Sequence, residues 1–469
     1  MHLDFATVAK ILLSQTTISP GSIDVKGVST DTRSLQRGDL FFALKGPHFD
    51  GHAFLTQAKN LGAAGAVVDQ TVSIEISNFP LLRVKSPLTA LGDLAHWYRK
   101  QFSVPVIAIT GSNGKTTTKD LIASILSQSH KILATEGNLN NLIGVPRMLF
   151  RITPQTEYVV LEMGMNARGE IARLAQIAEP NIGVITNIGH AHLEFLETIE
   201  EVAEAKYELW KEMGNVGIAI VNLDDEQVGN IAERWSGEKI TFSATLDQAD
   251  VNLNLVSGAP LGKTSVELFL RKEGQVEIQL PLIGVHNVYN AAAAAAVAYA
   301  LKIPLQEIAQ GLPQAKITKW RSEFLEFPND RILINDSYNA NPTSMEAVLQ
   351  NLAMLKGGRR TFAILGDMFE LGAQAEDFHF DLGTLVAELK IDYLLTFGPL
   401  ARHIAEGAIQ SGMKKTNVIS CQTVEETMKA LISFLPPTHF MILVKGSRGM
   451  AMERIVEALK PILSQLKES

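Results

Sequence analysis

The stretch TGSNGKTTTKD, Thr110 to Asp120, decides how the rest of the chain is read. It follows PVIAIT (105–110), an apolar, β-branched run of the kind that forms a buried parallel strand. It leads into TTTKDLIASILSQ (116–128), a helix-forming segment. A glycine turn between strand and helix lets the backbone wrap phosphate oxygens, and the helix start adds a partial positive charge. The usual spacing, G-x-x-x-x-G-K followed by Ser or Thr, would put its first glycine at Ile109, whereas here a glycine stands at Gly111. Lys115 is placed to neutralise β and γ oxygens, and the Thr116 hydroxyl to reach a magnesium ion. Thr110, Gly111, Ser112, Asn113, Gly114, Lys115 and Thr116 are therefore the expected site for a nucleotide triphosphate.

Outward from the loop, YVVLEMG (158–164), IGVITNIG (182–189) and GIAIVNLDD (217–225) read as strands with helices between them, the mark of a parallel sheet covered on both faces. After Gly311-Leu312-Pro313 the pattern restarts with RILINDSY, TFAILGDM, DYLLTFG and FMILVKGSRG, which predicts a second doubly wound domain. Upstream, GDLFFALKG and AAGAVVD predict short strands amid helices. The expected fold is α/β in three domains, 1–104, 105–313 and 314–469, which suits a chain of 469 residues, too long for one core. A net charge of -8 without a basic run argues against nucleic acid as partner. The single cysteine, Cys421, excludes an intramolecular disulfide and fits a reducing compartment. MHLDFATVAK lacks the pattern of an export signal, and AAAAAAVAYAL (291–301) is too short to span a bilayer, so a cytoplasmic protein is expected.

Glu162 ends the strand after the loop, where a carboxylate can hold magnesium beside the phosphates. In TNIGHAHLEFL (186–196) either His190 or His192 could be a ligand, and composition does not choose. On pattern alone Lys206, among Glu201, Glu204 and Glu208 in EEVAEAKYELWKEM, belongs to a solvated, salt-bridged helix face. Tyr338, Asn339 and Asn341 in DSYNANPTSM offer donors and acceptors for a small zwitterion, and equally suit an asparagine-rich turn capped before the helix at Pro342.

Together the displaced-glycine loop, LEMGMNARGEI (161–171), TNIGHAHLE, EAKYEL (204–209), GVHNVYNAAAAA (284–295) and NDSYNANPTSM (335–345) resemble the Mur ligases, ATP-dependent amide-forming enzymes of peptidoglycan synthesis. The resemblance spans essentially the whole chain, and the family's loop, G-S/T-N-G-K-T, accounts for the displaced glycine. LGDMFELG (365–372) and VKGSRGMAME (444–453) are similar to stretches of the family member that adds D-alanyl-D-alanine to UDP-N-acetylmuramoyl-tripeptide. The resemblance implies a small N-terminal UDP-binding domain, a central ATPase domain and a C-terminal Rossmann-like domain that closes over ATP. It implies ATP, two magnesium ions and a Lys206 carbamylated by carbon dioxide as a bridge to the second ion. Glu162 and His192, rather than His190, become metal ligands, and Lys115, Lys206 and His192 the catalytic groups. Asn287 and Asn290 would face the adenine, Arg321 and Asp336 would contact the nucleotide from the third domain, and Thr32 and Arg33 would lie near the UDP group. Asn138, Asn140 and Asn141 would touch the peptide or phosphates, Tyr338, Asn339 and Asn341 the dipeptide. A monomer is expected. The alternatives are a sister ligase that adds a single amino acid, and a non-catalytic ATP-binding switch or scaffold.

Overall fold

In a computed structural model, residues 3–13, 15–16, 23–190, 194, 196 and 198–465 are described. The run before the phosphate loop forms the strand Val106–Thr110, buried along its whole length. It pairs in parallel with Tyr158–Glu162 on one side and Ile182–Ile185 on the other. The chain thus leaves this strand toward one edge and later returns to its opposite flank. That reversal opens a crevice at the carboxyl ends of the strands, where α/β sheets bind ligands.

The central sheet has nine strands and extends through Ile218–Asn222, Glu238–Ser243 and Val251–Leu255, all parallel. It departs from the expected all-parallel pattern at its far edge, where Thr264–Leu270 and Gly274–Leu280 run antiparallel. Only Arg271, Lys272 and Glu273 separate these two strands, and a parallel connection needs a crossover of a dozen residues or more. Helices Lys115–Leu126 and Val285–Ala300 cover one face of the sheet, Glu170–Ala178 and Ile199–Met213 the other. Eight consecutive residues of the second helix, Ala291 to Ala298, are buried, because small side chains let it lie close to both the sheet and its neighbour.

The C-terminal sheet has six strands in the order Glu323–Phe327, Arg331–Asp336, Phe440–Lys445, Arg360–Gly366, Tyr393–Phe397, Val418–Cys421, and only the first is antiparallel. Asp336 and Lys445 end two adjacent strands and so meet at one edge of the sheet. The N-terminal sheet has five strands, four of them parallel from Leu81–Val84 to Gly27–Ser29. No helix among the described residues is long and apolar enough to cross a membrane.

Candidate active site

Two glycines shape the loop after Val106–Thr110. Gly111 has φ 148° and Gly114 φ 81°, and a Cβ on either would lie 1.9 Å from Thr186 Oγ1 or 2.0 Å from Asn290 Oδ1. The loop is clamped from the neighbouring strand's end: Ser112 N donates to Asn187 O (2.9 Å), Asn113 N to Asn187 Oδ1 (2.9 Å), and Thr186 Oγ1 to Asn113 O (2.6 Å). Gly114 then starts the helix Lys115–Leu126 without a side-chain cap. Its first-turn N–H groups have no intrahelical acceptor, which is the makings of an anion site.

Lys115 folds back over the loop, with Nζ 2.7 Å from Gly111 O. Burial pushes its pKa down, Glu162 pulls it back up, and Arg321 lowers it further. Glu162 is 3% exposed, with Oε2 accepting from Thr116 Oγ1 (2.7 Å) and Oε1 from Asn140 Nδ2 (2.8 Å). A buried carboxylate oxygen and a hydroxyl held together beside a helix start form a hard-oxygen pair, so the residues present fit magnesium next to a phosphate.

Lys206 does not lie on a solvated face. It is 1% exposed and, among the described residues, has neither an ion pair nor a hydrogen bond. Its neighbours take the polar partners: Glu204 pairs with Arg234, and Glu208 accepts from the backbone of Gly169 and Ala172. Burial, then the charge of Lys115, hold the Lys206 ammonium well below its ordinary pKa. The glutamates around Lys206 in the sequence concealed this, because helical spacing gives a residue's direction only when the packing partner is known.

The third domain supplies the opposite wall. Asp336 Oδ1 accepts from Ser322 N (2.8 Å), and Oδ2 binds Lys445 Nζ. Burial would raise the Asp336 pKa, but the Lys445 ammonium, with the Ser322 N–H and the charge of His286, together hold the carboxyl low. The Arg321 guanidinium lies 4.1 Å from the Tyr338 ring centroid, and its Nε is buried without a partner. Burial brings the His286 imidazole down to about 4, against the opposing pull of Asp336.

Two clefts meet here. One of about 450 Å³ is lined by the loop, Asn222, His286, Asn290, Arg321 and Asp336. The second, of about 500 Å³, is lined by Asn138, Glu162, Asn166, Phe369 and Arg448. Ser112, Lys115, Arg321, Tyr338, Asn339 and Asn341 line both, so the phosphate end of the first opens into the second.

Residues 24–99 match the Mur ligase family catalytic domain, 109–298 the Mur ligase middle domain and 320–448 the Mur ligase, glutamate ligase domain. A Bacillus subtilis (strain 168) protein named UDP-N-acetylmuramoyl-tripeptide–D-alanyl-D-alanine ligase is 38% identical over 435 residues, 93% of each chain. The chain belongs to the Mur ligase family. A crystal structure of MurF from Acinetobacter baumannii superposes with a TM-score of 0.89 at 34% identity, covering 98% of this chain and 99% of that one. The MurF ligase of Thermotoga maritima in complex with ADP superposes with 0.83 at 27% identity, covering 94% and 98%.

For this Mur ligase the remaining sequence-predicted residues divide into those at the clefts and those elsewhere. Asn287 and Asn290 are buried along the first cleft, where Asn287 Nδ2 donates to Ile283 O (2.8 Å) and Asn290 Nδ2 to Asn287 Oδ1 (3.0 Å). Asn138, Asn140 and Asn141 line the second, and Asn141 Oδ1 also accepts from Gly144 N (2.9 Å). Thr110 lies buried at the loop's start with its hydroxyl unpartnered. Thr32 and Arg33 line neither cleft: Thr32 bonds Gln57 (3.1 Å), and the exposed Arg33 pairs with Asp31 (2.7 Å). His190 is exposed and leans on the Phe378 ring at 5.4 Å. His192 lies outside the described residues. Sequence reading missed Asn187, His286 and Lys445; the signal available for the last was a lysine ending the apolar run FMILVK.

Proposed function

We propose that this Mur ligase joins D-alanyl-D-alanine to the terminal carboxylate of UDP-N-acetylmuramoyl-tripeptide, splitting ATP to ADP and phosphate. The observation that carries the reading is the pair of clefts continuous at Lys115 and Arg321, in a chain 38% identical over nearly its full length to a ligase of that name. ATP fits the first cleft with its γ-phosphate toward the second, where the tripeptide carboxylate attacks it. The acyl phosphate then meets the dipeptide amine, a tetrahedral intermediate forms, and phosphate leaves.

Lys115 and Arg321 neutralise the moving phosphoryl group. Thr116 and Glu162 hold a magnesium ion, which draws charge off the triphosphate when bound. The uncharged Lys206 amine can add to carbon dioxide, forming a C–N bond and releasing a proton, and the carbamate together with His192 would hold a second ion, which would add further charge neutralisation. A lysine with no counter-charge and a depressed pKa suits that addition, because only the neutral amine is nucleophilic. Asn287 and Asn290 border the adenine, Asp336 fixes the third-domain wall, and Thr32 and Arg33 lie along the path of the UDP end. Asn138, Asn140, Tyr338 and Asn339 contact the peptide partners. Positioning two anionic substrates supplies up to roughly 7–11 kcal/mol of the barrier reduction. The chain divides as 1–104, 105–313 and 314–469, works as a cytoplasmic monomer, and carries every residue the reading uses.

Incubation with ATP, magnesium and UDP-N-acetylmuramoyl-tripeptide, with and without D-alanyl-D-alanine, tests this by product mass. A UDP-pentapeptide formed only with both partners is the expected result. Preference for a single amino acid over the dipeptide would make the chain a sister ligase, and ATP binding without turnover would leave only a switch.

A further inference from the structure

Asn341 was expected among the dipeptide contacts, yet both ends of its side-chain amide are engaged. It caps the helix Pro342–Leu355: Oδ1 accepts from Ser344 N (2.9 Å), and Ser344 Oγ accepts from Asn341 N (3.1 Å). This capping box fixes which end of the amide faces outward. The outward Nδ2 donates to Asn113 Oδ1 in the phosphate loop, at 2.8 Å. Among the described residues this is the only hydrogen bond between the phosphate loop and the third domain.

The polarity propagates. Because the Asn341 cap must present a nitrogen, Asn113 must answer with its oxygen, and its own Nδ2 is left as the free end. That Nδ2 is buried and has no partner, on a residue that lines the nucleotide cleft. The Asn113 backbone cannot turn to satisfy it, since its N–H is bonded to Asn187 Oδ1 and its carbonyl to Thr186 Oγ1. A buried, unpaired amide donor is costly unless an acceptor arrives, and the acceptor suited to a phosphate loop is a phosphate oxygen.

We propose that Asn341 is a positioning residue of the third domain that holds the Asn113 amide in its donor orientation toward the nucleotide phosphates, so that the phosphate loop is complete only when the third domain is docked on it. The inference rests on the phosphate loop binding ATP as proposed above. It also gives the loop's asparagine a task distinct from that of its glycines and lysine.

The test is a double-mutant cycle on the full-length protein with a non-hydrolysable ATP analogue and magnesium, alongside thermal unfolding. Asn341→Asp keeps a good cap but offers only acceptors, so Asn113 must turn its NH₂ toward it and show its oxygen to the phosphates. Asn341→Asp and Asn113→Ala should each weaken analogue binding by about tenfold, the scale of one hydrogen bond to a charged group. The double variant should bind no more weakly than Asn113→Ala, and Asn341→Asp should unfold at the wild-type temperature. Asn341→Ser, which also caps but leaves Asn113 free rather than reversed, should bind better than Asn341→Asp. Additive losses in the double variant, or wild-type binding by Asn341→Asp, would overturn the proposal. So would an Asn341→Asp variant with normal nucleotide affinity and a raised KM for D-alanyl-D-alanine, which is the signature of a direct dipeptide contact. A wild-type protein that does not bind the analogue would instead overturn the nucleotide reading itself, a failure distinct from an additive cycle.

Discussion

At the scale of single residues, the least expected placement is that of Lys206, sealed from solvent beside a second lysine with no carboxylate to answer it. A buried cation in that position is destabilising in its charged form, so the side chain is better suited to chemistry than to pairing. Lys206→Ala should lower ligation by more than about a hundredfold, the scale of a lost charge-stabilising group. A short-chain carboxylic acid should partly restore it by occupying the carbamate's place. Full activity in the variant would remove Lys206 from the reaction. His286 makes a separate prediction. Its folded-state pKa, about 4, lies below the ordinary 6.5, so the unfolded chain takes up the proton more readily. Its contribution to stability is therefore fully present above pH 6.5 and is lost as pH falls toward 4, by at most about 3 kcal/mol. Asp336, held low by Lys445, loses its contribution only at still more acidic pH. Denaturant unfolding across pH 4–6.5 should show a flatter decline for His286→Gln than for wild type, and parallel curves would contradict the assignment.

At the scale of elements, the helix Val285–Ala300 decides how near that wall of the first cleft comes to the phosphate loop. Its alanines are buried and pack toward the helix Lys115–Leu126 and the sheet. Ala294, fully enclosed, has no room for a larger side chain, so Ala294→Leu should destabilise the protein by about 1–3 kcal/mol. An unchanged denaturation midpoint would show that the packing is looser than described. Much at this scale was legible in the sequence. Buried parallel strands such as PVIAIT and FMILVK are continuous apolar runs, and a run of that kind followed by glycines and Gly-Lys-Thr leaves few structural options. The hairpin Thr264–Leu270 and Gly274–Leu280 was signalled by two alternating runs around a three-residue turn, but the stronger βα alternation upstream masked it. Lys206 and Asn341 were not legible in full. Local pattern gave one a solvated face, and the other's two amide contacts lie in different domains, with Asn113 and Asn341 separated by more than two hundred residues.

At the scale of the whole molecule, the central and C-terminal sheets present their edges toward shared clefts, and the third domain reaches the phosphate loop through Asn341 while Asp120 on the loop's helix holds the segment before the third domain's first strand at Thr318 N (2.8 Å). Arg321 sits in that same segment between Trp320 and Ser322, both in the left-handed region at φ 68° and 49°. Such conformations cost roughly 1–2 kcal/mol for a side-chain-bearing residue, a cost accepted where a guanidinium must face both clefts. The central claim, that a carboxylate in the second cleft receives phosphate from the first, can be read directly from oxygen atoms. UDP-N-acetylmuramoyl-tripeptide labelled with ¹⁸O in its terminal carboxylate should be turned over with ATP, magnesium and D-alanyl-D-alanine, and the released phosphate weighed. One ¹⁸O in each phosphate, with none released when the labelled substrate is omitted, is the predicted result. Phosphate free of label would mean that water rather than the carboxylate takes the phosphoryl group, and the account of the two clefts would be contradicted.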